Sequence, residues 1–256
     1  MVKRALGDRP GASQDRDPAR PVRLRLLGGF SLFAGDAAVR LPPSAERLLA
    51  FLALHDRALL RPYVAGSLWP ETTEQHAGGD LRSVLWKLNR CRQALVDIEG
   101  GRLELAPFVL VDYPQAIAIA RRLLDGTALR PGDLDCDSLA EDLLPDWNDE
   151  WVAAKRDQFR QLRLHALDKL SERLTGLGRF AQAVEAGLAA VACEPLRESA
   201  HRSVIKAHLA EGNVGEAILQ YRALDRLLAH ELHVRASKET AMLIDAVSPS
   251  PGEVAR

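Results

Sequence analysis

The strongest constraint on this chain is a turn that occurs twice, 34 residues apart. Gly178-Arg179-Phe180 leads into a helix-forming run with Ala183 five residues after the glycine, and Gly212-Asn213-Val214 leads into another with Ala217 in the same place. Around them the segment RFAQAVEAGLAAVACEPLRESAHRSVIKAHLAEGNVGEAILQYRALDRLLAHEL carries apolar residues at helical spacing, as in Phe180, Val184, Leu188 and Val191. A unit of turn, helix, stop at Pro195 and second helix cannot bury its apolar stripe alone. Repeated at this period it stacks on its neighbours as a short solenoid of the tetratricopeptide length. A long periodic stretch from Trp147, ended by Gly176 and Gly178, precedes the two predicted helix pairs.

The first half follows different periods. In VRLRLL, Val22, Leu24 and Leu26 fall on one face and Arg23 and Arg25 on the other, as in a strand with one face buried. Gly28-Gly29, FSLFA, Gly35-Asp36 and AAVRL continue it as a small antiparallel sheet. Pro42-Pro43-Ser44 announces a helix capped by Ser44, with Leu48, Leu49 and Leu52 inward. A second helix is predicted over 62–68, closed by Pro70, and ETTEQHAGG reads as the turn after it.

The third helix is predicted over 79–96. Leu81, Val84, Leu85, Leu88 and Leu95 make a narrow apolar stripe. The other face holds Arg82, Ser83, Trp86, Lys87, Arg90 and Gln93, with no acidic residue between Leu81 and Val96. A stripe to bury and an uncompensated cationic face suit a helix that enters the major groove of DNA, among phosphates and base edges. Next, RLELA and FVLVD flank an Ala-Pro turn and read as a hairpin. Strands, three helices and a hairpin are the winged-helix order, with the third helix as reader. The rest is predicted helical: one amphipathic helix over 113–124, then DGTALRPGDLDCD as a surface connection.

A chain of 256 residues with 47% hydrophobic composition favours two cores over one. Its charge is unevenly spread. Through Val111 there are 16 Lys and Arg against 12 Asp and Glu, and beyond it 18 against 23, so a basic head joins an acidic body. Cys91, Cys136 and Cys193 form no C-x-x-C pair and read as reduced thiols. No apolar run approaches the roughly 20 residues that cross a bilayer, so a cytoplasmic protein is expected. There is no nucleophile elbow, phosphate-binding glycine loop or calcium loop, and the seven histidines are poorly spaced for a metal site. No catalytic residue, cofactor or metal is predicted.

The segments VRLRLLGGFSL, LPPSAERLLAFLALH, DLRSVLWKLNR and GGRLELAPFVLVD resemble the OmpR-type winged helix, and LLPDWNDEWVAAKRDQFRQLRLHALDKLSERL with the repeat segment resembles the bacterial transcriptional activator domain. In that order the two are similar to SARP/AfsR-like regulators. The resemblance implies a mainly α chain: a disordered arm over 1–21, an α+β winged-helix DNA-binding domain over 22–112, an all-α tetratricopeptide-like activator domain over 113–247 and a disordered tail over 248–256. It implies sequence-specific binding to double-stranded promoter DNA, usually as a dimer or higher oligomer on repeats, with the helical domain contacting RNA polymerase or a second subunit. Matching positions place Arg82, Ser83, Trp86, Lys87 and Arg90 toward the major groove, Arg102 on the wing toward the minor groove, and Arg61 on a phosphate. Trp86 has a second reading, packing against the second helix or a neighbouring subunit. The modest charge of the head leaves open a protein-interaction scaffold whose winged domain reads no DNA.

Overall fold

The computed structural model describes residues 21–55, 57–89, 94–127 and 130–247. The expected arm, apart from Pro21, and the expected tail lie outside these residues, as do Arg90 and Gln93.

The alternation of the first strand, β1 (Val22–Arg25), is expressed as burial of Val22 and Leu24 and exposure of Arg23 and Arg25. It pairs antiparallel with β2 (Ser31–Ala34), which pairs antiparallel with β3 (Ala37–Val39). The helix α1 (Pro43–Ala53) buries Leu48, Leu49 and Leu52, and also Phe51. Its cap is not Ser44. The helix begins two residues earlier, where Pro42 and Pro43 fix the backbone and the Pro42 carbonyl accepts from the N–H groups of Ala45 and Glu46.

A two-residue strand, β4 (Leu59–Leu60), runs into α2 (Arg61–Leu68). The third helix, α3 (Glu74–Leu88), then starts five residues before the predicted position and ends sooner, so two thirds of the expected ETTEQHAGG turn is helical. Thr73 caps it, its side-chain oxygen accepting from the His76 N–H.

The wing also differs from expectation. RLELA does not pair with FVLVD. Instead β5 (Val96–Glu99) and β6 (Arg102–Leu105) form the hairpin, across Gly100 and Gly101 at φ 55° and 76°. A tight hairpin needs left-handed backbone at both central positions, which glycine adopts without steric cost. β4 flanks β6 on its other side. The Ala106-Pro107 turn does form, with the Val109 N–H on the Ala106 carbonyl at 2.9 Å. It redirects the chain into β7 (Val109–Val111), which joins the first sheet parallel to β1.

The helix α4 (Asp112–Asp125) follows within a residue of each predicted bound and is stopped at Gly126, φ 69°. Its first residue ties the sheet to the helices, since the Asp112 carboxylate accepts from the N–H groups of Leu26 and Leu27 at 2.9–3.1 Å. The expected surface connection is more structured than a loop. It holds a 3₁₀ turn over Pro131–Leu134 and runs at its last residue into the short helix α5 (Asp137–Ala140), which buries Leu139. Asp133 is 3% exposed and accepts both nitrogens of the Arg122 fork at 2.8 and 2.6 Å. That guanidinium holds the Asp133 carboxyl down at about 2.

The long helix α6 (Glu150–Gly176) and then α7 (Phe180–Cys193), α8 (Glu198–Glu211) and α9 (Val214–Glu231) pack in sequence as a solenoid, with α10 (Lys238–Asp245) against α8 and α9. The two glycine turns are built alike. Gly178 and Gly212 have φ of 73° and 90°. After each, the next N–H reaches back to a carbonyl five residues earlier, Arg179 to Leu174 and Asn213 to His208.

Both halves share one continuous core. Phe30 stacks on Trp147 with centroids 5.9 Å apart, Phe51 meets the edge of Trp151 at 5.1 Å, and Arg47 pairs with Asp149 at 2.5 Å. The Leu144 N–H donates to the Leu26 carbonyl, and Arg156 and Arg163 hold the carbonyls of segment 140–147 against α6.

Candidate DNA-reading surface

The packing of α3 decides which of its residues meet solvent. Ala77, Leu81, Val84, Leu85 and Leu88 are buried on one side. The residues opposite, at spacings of three and four, are Gln75, Gly79, Arg82, Ser83 and Trp86, with His76 and Lys87 beside them. Of the predicted stripe, Leu81, Val84, Leu85 and Leu88 lie on the helix. Leu95 is buried too, but beyond the helix end. Trp86 is 62% exposed on this outer face rather than buried beneath α2. The Ser83 hydroxyl donates to the Gly79 carbonyl at 3.1 Å, leaving its oxygen able to accept. Arg90 lies outside the described residues.

Arg61 opens α2 and is half-buried. Its N–H donates to the Gly101 carbonyl at 3.0 Å and so fastens the wing tip to α2. With Pro62, Glu74, Gly78 and Arg82 it lines a groove of about 300 Å³ between α2 and α3. Glu74 is thus set into the groove with two arginines and stays off the outer face.

Arg102 sits in different company. Its Nη1 donates to the Ala58 carbonyl at 3.3 Å, and it lies opposite Glu99 across the hairpin. On the same strand face, Asp97 lies directly opposite Glu104. One side of the wing therefore presents three exposed carboxylates and one guanidinium. The structure brings Arg82, Ser83, Trp86 and Lys87 onto one face, sets Arg61 at its flank, and keeps Arg102 apart on the hairpin.

The sequence reading omitted Gln75, His76 and Gly79. The signal was present as Thr73 followed by Glu74, a cap residue and an acidic first turn, but the Gly78-Gly79 pair obscured it by resembling a turn.

Elsewhere, Asp135, Cys136 and Asp137 place three donor atoms within 4.8 Å. Burial, with Glu185, Asp137 and Asp135 nearby, pushes the Cys136 thiol up to about 11, away from the thiolate that binds metal. His201 is held between the Pro195 carbonyl and the Gln220 amide, both at 2.9 Å, and serves packing between α8 and α9.

A sheet, three helices and a glycine-tipped hairpin make a winged-helix module set on a helical repeat body. Residues 136–248 match the family described as Bacterial transcriptional activator domain. Among solved structures, the fold is similar to Mycobacterium tuberculosis EmbR in complex with a low affinity phosphopeptide. The TM-score is 0.65 at 17% identity, covering 89% of this chain and 65% of that one, so this chain spans just under two thirds of that protein's length. No curated protein matches the chain in sequence. The activator-domain match covers less than half of the chain, and the solved structure, at this identity, shows a likeness of fold. Among the described residues no helix is long and apolar enough to cross a membrane.

Proposed function

We propose that this chain is a cytoplasmic activator that binds promoter DNA sequence-specifically through the outer face of α3. The observation that carries the reading is the segregation on that helix. Its aliphatic stripe of Leu81, Val84, Leu85 and Leu88 is turned inward, while Arg82, Ser83, Trp86 and Lys87 are exposed together and Glu74 lines the α2–α3 groove. Such a face meets phosphates with cations and base edges with donors. Arg61 supplies a phosphate contact at the start of α2, Arg90 is a further DNA contact by the family resemblance, and Arg102 follows the wing tip toward the minor groove. The winged part, to about residue 112, is the DNA-binding module. The helical body contacts RNA polymerase or a second copy of the chain on repeated sites.

Substitution tests this reading. Arg82→Ala, Lys87→Ala and Arg90→Ala each weaken promoter binding without unfolding the protein. A lost phosphate contact flattens the salt dependence by about one unit, whereas a lost base contact costs about 1–3 kcal/mol on the preferred site only. Unchanged binding in all three overturns the reader assignment. The carboxylates on the wing favour a second reading, a protein-interaction scaffold, and specific enrichment of one promoter fragment excludes it.

A further inference from the structure

Two glycines sit side by side in the first half of α3, and among the described residues no close contact requires either. Both have ordinary helical backbone, since neither is among the glycines at positive φ. A Cβ built on Gly78 would meet only Arg82 Nη1, at 3.7 Å, and one on Gly79 only Arg82 Nη2, at 3.7 Å, both ordinary contact distances. Each glycine weakens a helix interior relative to alanine. Gly79 lies at the centre of the exposed face, one turn from both Gln75 and Ser83. The Arg82 side chain runs back toward the helix start, as long helical side chains do, and its guanidinium lies over the two glycines.

Resting on the DNA-binding reading above, we propose that the first half of α3 is its base-reading segment. The absence of side chains at Gly78 and Gly79 lets the Arg82 guanidinium lie close along the helix at the major groove, where it takes a guanine, and Gln75 takes an adenine. The chemistry is matched on both sides. A guanidinium fork pairs with guanine O6 and N7, and a carboxamide with adenine N6 and N7. The distance along the axis from Gln75 to the seat over Gly78 and Gly79 is about 5 Å at 1.5 Å per residue. With base pairs about 3.4 Å apart, the two bases fall within one or two positions of each other. Glu74 lines the α2–α3 groove, and the exposed Asp80 stands at the rim of the face, one turn from His76 and Ser83 and off the row of Gln75, Gly79 and Trp86.

The test is site selection from random double-stranded DNA by the full chain, followed by affinity for the selected site. The wild type selects a site holding a guanine within two base pairs of an adenine. Gln75→Ala relaxes preference at that adenine by about 5- to 150-fold and leaves the salt dependence unchanged. Gly79→Ala lowers affinity for the site at least tenfold although alanine favours the helix, and Gly176→Ala, the same change on α6, leaves affinity unaltered. If Gln75→Ala and Gly79→Ala both bind the selected site as the wild type does while Arg82→Ala and Lys87→Ala lose it, DNA reading stands and this inference is overturned. A wild type that selects no sequence overturns the proposed function, and the inference with it.

Discussion

The outer face of α3 and the crossing of α7 with α8 both place glycine inside a helix, for opposite reasons. At the crossing, a Cβ on Gly187 would fall 2.7 Å from Val204 Cγ2 and 3.3 Å from the Val204 nitrogen, so the fold itself demands the missing side chain. On α3, a Cβ at Gly79 has room. The same contrast separates the carboxylates. Asp133 is buried and satisfied by Arg122 and the Arg130 N–H, whereas Asp97, Glu99 and Glu104 stand exposed on the wing, two of them face to face. Residues that the fold requires can thus be told from residues it merely tolerates, and the second kind gathers on the winged part, on and beside the outer face of α3.

Substitutions sharpen the contrast in order of size. Gly187→Val forces branched volume into the α7–α8 contact and costs about 3 kcal/mol or more in urea unfolding, with DNA affinity of the folded protein unchanged. A loss below about 1 kcal/mol would mean that the crossing can spread and that the glycine is tolerated after all.

The buried carboxylate comes next. Its ionisation is held near 2 by the Arg122 guanidinium, below the ordinary 3.8, so its contribution to stability is complete above about pH 4 and fades as pH falls toward 2. The stability gap between wild type and Asp133→Asn is therefore flat from pH 7 to 5 and narrows in acid. A gap that widens in acid contradicts the assignment.

Gly79→Ala acts in the opposite direction on stability and raises it by about 0.5–1 kcal/mol. Thermal unfolding checks this, and a destabilised variant would place a hidden packing demand on that face. Smallest is the wing, where Glu104→Gln relieves the like-charge pairing with Asp97 by a few tenths of a kcal/mol. The same change strengthens DNA binding at low salt wherever the hairpin lies near phosphates.

How much of this was legible in the sequence follows the same division. The buried stripe of α3, the alternation of β1 and the 34-residue spacing of Gly178 and Gly212 could be read because each is a local period with one physical solution. The partner of β7 could not. Its apolar run suits either sheet, and only the turn geometry at Ala106 sends it to β1 rather than β6. Asp133 looked like a loop residue because its partner stands on the preceding helix. The start of α3 is not legible because paired glycines are a turn signal, although here both have helical backbone.

The central claim is that the outer face of α3 exists to read DNA. Sequencing the genomic fragments retained by the purified protein, beside those retained by Arg82→Ala, tests it most directly. The account predicts a small set of promoter fragments sharing one motif for the wild type, and loss of that enrichment in the variant. Fragments without a common motif, or an identical set from both proteins, would contradict it.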